Sequence, residues 1–340
     1  MSSGLPIEIV GGGLAGLSLG LALRRANVPV TILEAGTYPR HRVCGEFIAG
    51  LDPETEERLG LGPMLADARR HRSVAWFLKG QAVRNQRLPA PAHGLSRYVL
   101  DHRIATEFTA AGGWLRTGAR VTDLTPRPGR VFAQGRRADK SPWLGLKVHV
   151  TGLTLHRDLE LHLGDEAYVG LATVEDGRVN VCGLFRRRQL AAPGAALLFR
   201  YLEAAGLHAL ADRLSGTEVD DDSFCAVAGI RFASGYRSHP GVHLGDAGGM
   251  VPPFTGNGMA MAFQSAATAL GPLICYSHGE CSWAVTCERI SRLLARRFRV
   301  RLASASWLHG YLLRPSRQRW LAALNRAHLL PLRPLYAALH

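Results

Sequence analysis

The chain has 340 residues, 47% hydrophobic and 20% charged, a mixture that suits a globular fold and excludes collagen-like, coiled-coil and small disulfide-scaffold classes. Forty-one basic residues against 27 acidic ones give a net charge of +14, and all the basic residues except Lys79, Lys140 and Lys147 are arginines. That balance favours anionic ligands, an acidic partner or an anionic membrane surface, and the length suits one large or two interleaved domains.

Residues 6–10 (PIEIV) predict a short apolar strand, and 14–26 carry the apolar spacing of a helix. Residues 28–34 (VPVTILE) predict a second strand, buried on both faces. The first strand runs into Gly11-Gly12-Gly13-Leu14-Ala15-Gly16, a G-x-G-x-x-G turn that opens the helix. In such a turn Gly11 permits the tight bend, Gly13 lets the backbone approach a pyrophosphate, and Gly16 lets the helix pack on the strand. The helix N-terminus then offers free N–H groups and partial positive charge to phosphates. Glu34 ends the second strand 18 residues after Gly16, where a carboxylate accepts hydrogen bonds from an adenosine ribose and disfavours a 2′-phosphate.

Farther along, 73–88 predict short strands, 98–111 a helix, 143–185 an antiparallel meander with a turn at Glu175-Asp176-Gly177, and 195–214 a helix. A strand ending at Asp246 leads through a Gly/Pro-rich loop into a helix at about 257–274, and 283–340 predict arginine-rich helix. No run of 18 uninterrupted apolar residues and no basic leader segment occurs, so the expectation is a cytoplasmic protein without a spanning helix. The six cysteines form no C-x-x-C pair and no zinc spacing; they read as reduced thiols, with no metal site.

The glycine turn does not by itself separate NAD from FAD. Residues 243–262 (HLGDAGGMVPPFTGNGMAMA) add a strand-end carboxylate, Asp246, suited to the hydroxyls of a ribityl chain. A second helix N-terminus follows near Gly256-Asn257-Gly258, and its dipole would stabilise an anionic reduced flavin.

These residues resemble the FAD-dependent oxidoreductase superfamily that holds p-hydroxybenzoate-type hydroxylases, flavin halogenases and geranylgeranyl reductases. The matching blocks are GGGLAG…LEAG, Pro39-Arg40-His41-Arg42-Val43-Cys44-Gly45-Glu46-Phe47, Ser96-Arg97-Tyr98-Val99-Leu100-Asp101 and GDAGGMVPPFTGNGM. The resemblance is nearest to geranylgeranyl reductase-like bacterial tailoring oxidoreductases. It implies an α/β fold: a Rossmann-like FAD-binding domain of the glutathione reductase type, interleaved with an antiparallel-sheet substrate domain and followed by a C-terminal helical segment. The implied boundaries are 1–45, 97–142 and 236–282 for the FAD domain, 46–96 and 143–235 for the substrate domain, and 283–340 for the C-terminal helices.

The resemblance also implies that Ala15 and Glu34 contact the ADP half of FAD, beside Gly11, Gly13 and Gly16 of the turn. Cys44 and Gly45 would lie along the cofactor, Arg97 would reach its phosphates or ribityl chain, and the backbone of Val121 would meet adenine. Asp246 would bind ribityl oxygens, Gly258 and Met259 would lie at the isoalloxazine, and Arg42 would be an anion partner.

Three departures bear on function. The stretch Val131-Phe132-Ala133-Gln134-Gly135-Arg136 lacks the Asp-Gly that hydroxylases use for FAD and NADPH, which leaves NAD(P)H as external donor open beside a separate reductase. Tyr168-Val169-Gly170-Leu171 lacks the tryptophan of prenyl reductases, and Trp143-Leu144-Gly145-Leu146-Lys147 is not the halogenase motif, so halogenation is excluded.

The implied function is an FAD-dependent oxidoreductase, a monooxygenase tailoring a hydrophobic aromatic or polyketide-like metabolite. The alternatives are a C=C reductase of a prenyl or polyene lipid and a non-redox flavin-bound scaffold or cyclase. In any of these the cofactor carries the hard chemistry while the protein orients substrate and excludes water. Lys147, His149, Tyr168 and Arg186 are candidate polar groups toward the substrate, Lys147 and Tyr168 being the catalytic candidates; a solvated strand residue is the competing reading of Lys147. The stretch 286–340 mixes leucines, Trp307 and Trp320 with many arginines. Such basic amphipathic helices lie on an anionic membrane or pack on the FAD domain with a solvated face. No nucleic-acid-binding motif interleaves with these arginines.

Overall fold

The computed structural model describes residues 4–136, 139–233, 235–236, 240–327, 329 and 332–339. It opens on the predicted βαβ unit: β1 (Ile7–Val10), α1 (Leu14–Arg25) and β2 (Val30–Leu33). The strands pair in parallel, Ile7 against Val30 through Val10 against Leu33. Residues Leu14 to Leu23 of α1 are all buried, as a helix covered on both sides must be.

There follow β3 (Phe47–Ile48), α2 (Pro53–Leu59), α3 (Gly62–Leu65), β4 (Arg69–Leu78), β5 (Gln81–Gly94), α4 (Arg97–Ala110), β6 (Trp114–Arg116) and β7 (Arg130–Phe132). Then come β8 (Trp143–Thr151), β9 (Leu159–Gly164), β10 (Ala167–Thr173), β11 (Val179–Arg186), α5 (Ala196–Ala204), α6 (His208–Ser215) and β12 (Glu218–Ala228). The chain closes with β13 (Val242–His243), α7 (Gly258–Ser277), α8 (Trp283–Leu312), α9 (Pro315–Arg326) and α10 (Leu332–Leu339).

Two sheets result. A parallel, Rossmann-like sheet has the order β13-β7-β1-β2-β6, and a larger one has the order β12-β8-β11-β10-β9-β4-β5-β3. The larger sheet is antiparallel apart from β4, which runs parallel to β9. One core packs α1, α4, α7 and α8 around the parallel sheet. A second lies between the far face of the large sheet (Leu144, Leu146, Val148, Val150) and α5–α6. α7 is long and apolar enough to cross a membrane, but 67% of its apolar window is buried and it packs on α1, α2 and α8.

Several elements differ from expectation. The meander predicted over 143–185 holds only for β9, β10 and β11; β8 lies beyond β11, with Lys147 opposite Cys182 and His149 opposite Asn180. The free edge of β9 is taken instead by β4, which sets Trp76 opposite Leu161. The helix expected over 195–214 is two helices, broken at Gly206, whose φ of 71° a helix cannot hold. The short strands of 73–88 are two long ones, and the last strand ends at His243, which leaves Asp246 in a single 3-10 turn, Gly245–Ala247. The helical span expected to 340 includes 328, 330, 331 and 340, which lie outside the described residues.

Candidate active site

A single cleft of about 1960 Å³ runs from the glycine turn after β1 to the open face of the large sheet. Pockets for one drug-sized ligand are ~300–1000 Å³, so this one has room for a dinucleotide and a second molecule.

At its first end Gly11, Gly13 and Ala15 line the wall, whereas Gly16 does not; it packs against the turn itself. The first turn of α1 has no side-chain cap and no acidic residue, so its N–H groups stay available to an anion. Glu34 is buried beside the turn: one carboxylate oxygen accepts the Gly12 N–H at 2.7 Å, the other the Gly36 N–H at 2.8 Å and Arg40 at 2.5 Å. Burial alone would raise its pKa, but the Gly36 amide, Arg40, Arg42 and the Gly12 amide together hold it below the usual carboxylate range.

Arg42, expected as an anion partner, stands between two carboxylates of the protein, 3.2 Å from Asp101 and 3.7 Å from Glu34. Asp101 also accepts two hydrogen bonds from one edge of Arg97, from Nε at 2.6 Å and from Nη2 at 2.7 Å. Burial opposes the charge on Arg97, and the adjoining Asp101 carboxylate more than restores it. The Arg97 guanidinium approaches Gly13, where a Cβ would lie 3.9 Å from it, and so stands beside the glycine turn.

Midway, Cys44, Gly45, Val121, Gly135, Arg136, Asp246, Gly258 and Met259 line the cleft. A Cβ built at Gly45, Gly135 or Gly258 would meet nothing within 4 Å, so bare backbone faces the space a flat ring system would fill. The Asp246 carboxylate is open to the cleft while protein surrounds it on its other sides, and this desolvation pushes its pKa up to about 6 against Arg97 and Arg136. The bare backbone, the uncapped helix and the cleft-facing carboxylate fit the FAD that the resemblance implies. Cys44 is not poised as a thiolate: burial raises its pKa, and every cysteine is a free thiol.

Lys147 is placed differently from expectation. It is fully buried behind the cleft wall, its ammonium 3.1 Å from His41 Nδ1 and 3.6 Å from Glu46. His149, also fully buried, meets the other Glu46 oxygen at 2.5 Å. His41, Glu46 and His149 place their ligand atoms within 4.8 Å of one another, a spacing that suits a metal. The ammonium of Lys147 stands among them and supplies the positive charge itself. Burial, then Lys147, lower the His41 pKa to about 4, which leaves it neutral at pH 7. Arg186 is exposed and paired with Glu166, away from the cleft.

At the far end the walls are largely apolar. Trp76, Leu161, Tyr168, Leu184, Val227, Ile230 and Phe254 form them, Arg84, Arg87 and Glu160 also line the cleft, and Tyr168 is the one catalytic candidate found there. Sequence reasoning missed the roof, where Leu308, Leu312, Leu321 and Asn325 of α8 and α9 close over the sheet. The four-residue spacing of Leu308 and Leu312 marks one helix face, but not what that face covers.

Comparison with known proteins bears on the fold. The family model of an NAD(P)-binding Rossmann-like domain matches residues 9–45. A menaquinone reductase of Mycobacterium tuberculosis is 27% identical over 188 residues, 48% of this chain and 46% of that protein, so the match spans about half the length of the curated relative. Among solved structures, p-nitrophenol 4-monooxygenase PnpA from Pseudomonas putida superposes with a TM-score of 0.77 at 15% identity, covering 98% of this chain and 97% of that one. Klebsiella pneumoniae HpxO, complexed with FAD and uric acid, superposes with a TM-score of 0.75 at 14% identity over 98% and 97%. The chain therefore shares, over nearly its whole length, the two-sheet architecture of these proteins.

Proposed function

We propose that the chain is an FAD-dependent oxidoreductase, a monooxygenase tailoring a hydrophobic aromatic or polyketide-like metabolite, with NAD(P)H or a separate reductase supplying electrons. The observation that carries this reading is the continuity of the cleft, from the glycine turn through bare glycine backbone to a largely apolar chamber. Segments 1–45, 97–142 and 236–282 would serve as the cofactor domain, 46–96 and 143–235 as the substrate domain, and 283–340 as the helical roof. Bound FAD would supply the electron transfer. The chain's own residues bind and shield: the α1 N-terminus and Arg97 hold the phosphates, Glu34 the ribose, and Asp246 the ribityl hydroxyls. Leu161, Leu184, Ile230 and Leu312 keep water from the substrate.

The folded-state pKa of Asp246 is raised, so in the ligand-free protein its ionisation costs stability as pH climbs from about 4 through about 6. A ligand that hydrogen-bonds the carboxylate favours the ionised form, so flavin affinity should rise between about pH 5 and about pH 7. Asp246→Asn should remove that step and lower affinity about tenfold or more, the worth of one charge-assisted hydrogen bond. Flavin titration by fluorescence at both pH values checks this; an unchanged pH step in the variant would take Asp246 out of the site.

A second reading is favoured by one observation, the sequence match to a protein named menaquinone reductase. It makes the chain an FAD-dependent C=C reductase of a prenyl or polyene lipid, nearest in kind to geranylgeranyl reductases. Visible spectra before and after anaerobic NADPH test the shared part. A protein that purifies without flavin and takes up none would defeat both readings. Product formation coupled to oxygen consumption supports the monooxygenase, and turnover that improves without oxygen supports the reductase. In either case the basic C-terminal helices would form a peripheral contact with a membrane.

A further inference from the structure

The charge of this chain is concentrated at one end. Residues 283–340 contain eleven arginines and one acidic residue, Glu288, and so hold most of the net +14. Glu288 pairs with Arg292, Arg297 reaches Asp52 at 2.9 Å, and Arg301 is buried against Gln264. Arg296, Arg299, Arg314, Arg319 and Arg326 are exposed and form no ion pair among the described residues.

An apolar stripe runs among these charges. Leu293, Val300 and Trp307 are 40%, 56% and 61% exposed and recur every seventh residue, which stacks them along one side of α8. Trp320, on α9, is 61% exposed. The Trp307 ring lies 4.6 Å from Tyr311, and the Arg317 guanidinium lies 4.8 Å over Tyr311. This contact brings the end of α8 and the start of α9 onto one outer surface, with Trp320 one turn beyond Arg317.

The inner side of the same junction is the roof of the cleft: Leu308, Leu312, Leu321 and Asn325. Arg84 and Arg87 of β5 stand on the cleft rim below, and Arg84 bonds the Asn325 side chain at 3.3 Å. Two helices therefore separate a largely apolar chamber from a surface of tryptophan, aliphatic side chains and unpaired arginine.

We propose that the outer face of α8 and α9 docks on an anionic lipid bilayer, with Trp307 and Trp320 at headgroup depth, and that lipophilic substrate enters the cleft beside the α8–α9 junction. The inference rests on the reading of the cleft as the site of a hydrophobic substrate. Arginines complement anionic headgroups, and tryptophans prefer the zone between headgroup and chain. A nucleic acid would leave Leu293, Val300 and Trp307 facing phosphate. An acidic carrier protein would use the arginines without needing those apolar residues.

The test is co-sedimentation of the full-length purified protein with vesicles of phosphatidylcholine containing one quarter phosphatidylglycerol, and with phosphatidylcholine alone. Binding should be at least tenfold tighter to the anionic vesicles and weaken at 0.5 M salt, and brominated lipid should quench tryptophan emission. Trp307→Ala with Trp320→Ala, and separately Arg314→Gln with Arg319→Gln and Arg326→Gln, should each weaken binding about tenfold at unchanged melting temperature. Absence of binding to anionic vesicles at low salt overturns the proposal. So does binding that the arginine variant loses but the tryptophan variant keeps without quenching, which would mark a surface for an acidic protein. The flavin content of the same samples is read separately: a protein that binds vesicles but no flavin keeps the docking surface and loses the cofactor reading.

Discussion

Glu46→Ala is expected to destabilise the protein by ~3–5 kcal/mol, because it leaves a buried ammonium and a buried imidazole without their carboxylate. Glu46, Lys147 and His149 are each 0% exposed, so water cannot take the place of the lost partner. Glu46 also accepts the N–H of Arg97 at 3.0 Å, at the first residue of α4. One side chain thus ties the Cys44-Gly45 loop, the α4 start and the β8 strand together behind the cleft. Glu46→Gln with Lys147→Met removes both charges and should recover much of the loss. Urea unfolding near neutral pH measures both variants; a loss below about 1 kcal/mol for Glu46→Ala would mean that the cluster does not hold the loop.

The same residue sets a pH dependence. Burial pushes the Glu46 pKa up, but the His149 hydrogen bond, Lys147 and the Arg97 amide outweigh it, so the folded-state value is lowered. Its contribution is therefore fully present above the ordinary glutamate range near 4.5 and is lost as pH falls below it. Wild type should lose more stability than Glu46→Ala on acidification from about pH 4.5 to about pH 3.

The second large effect concerns the glycine turn. A Cβ at Gly16 would lie 2.0 Å from the Gly11 carbonyl oxygen, a backbone atom that cannot swing aside. Gly16→Ala must therefore push α1 off the turn, at ~3 kcal/mol or more, and should abolish retention of flavin on purification. Gly258→Ala is the informative contrast. Its Cβ meets no protein atom within 4 Å and would enter the cleft from the first residue of α7. Its stability should stay within ~0.5 kcal/mol of wild type, since alanine suits a helix better than glycine, while flavin content falls. The ratio of absorbance at 450 nm to that at 280 nm, read beside a thermal melt, separates the two. Equal flavin content in wild type and Gly258→Ala would move the ring away from α7.

What the amino-acid order made legible was local. The first strand, the glycine turn, the helix and Glu34 lie within 34 residues, and each constrains the next, so the predicted βαβ unit matches the structure. Partners distant along the chain were not legible. Nothing near β8 tells whether it pairs with β9 or with β11, because both are short strands buried along nearly their whole length. Lys147 reads as a free polar group until Glu46, a hundred residues earlier, folds against it. The roof supplied by Leu312 and Leu321 is visible only once α8 and α9 have crossed above the sheet.

The strand order has a consequence for biosynthesis. β1 lies between β2 and β7, and the outer neighbour of β7 is β13, about 110 residues later in the chain. A nascent chain stopped before 242 carries β7 with an unpaired edge and α1 without the α7 surface it buries against. The parallel sheet and the packing around α1 are therefore complete only once residues 242–277 have emerged. Folding is consequently late and dominated by distant contacts, which exposes an apolar parallel edge to aggregation during synthesis.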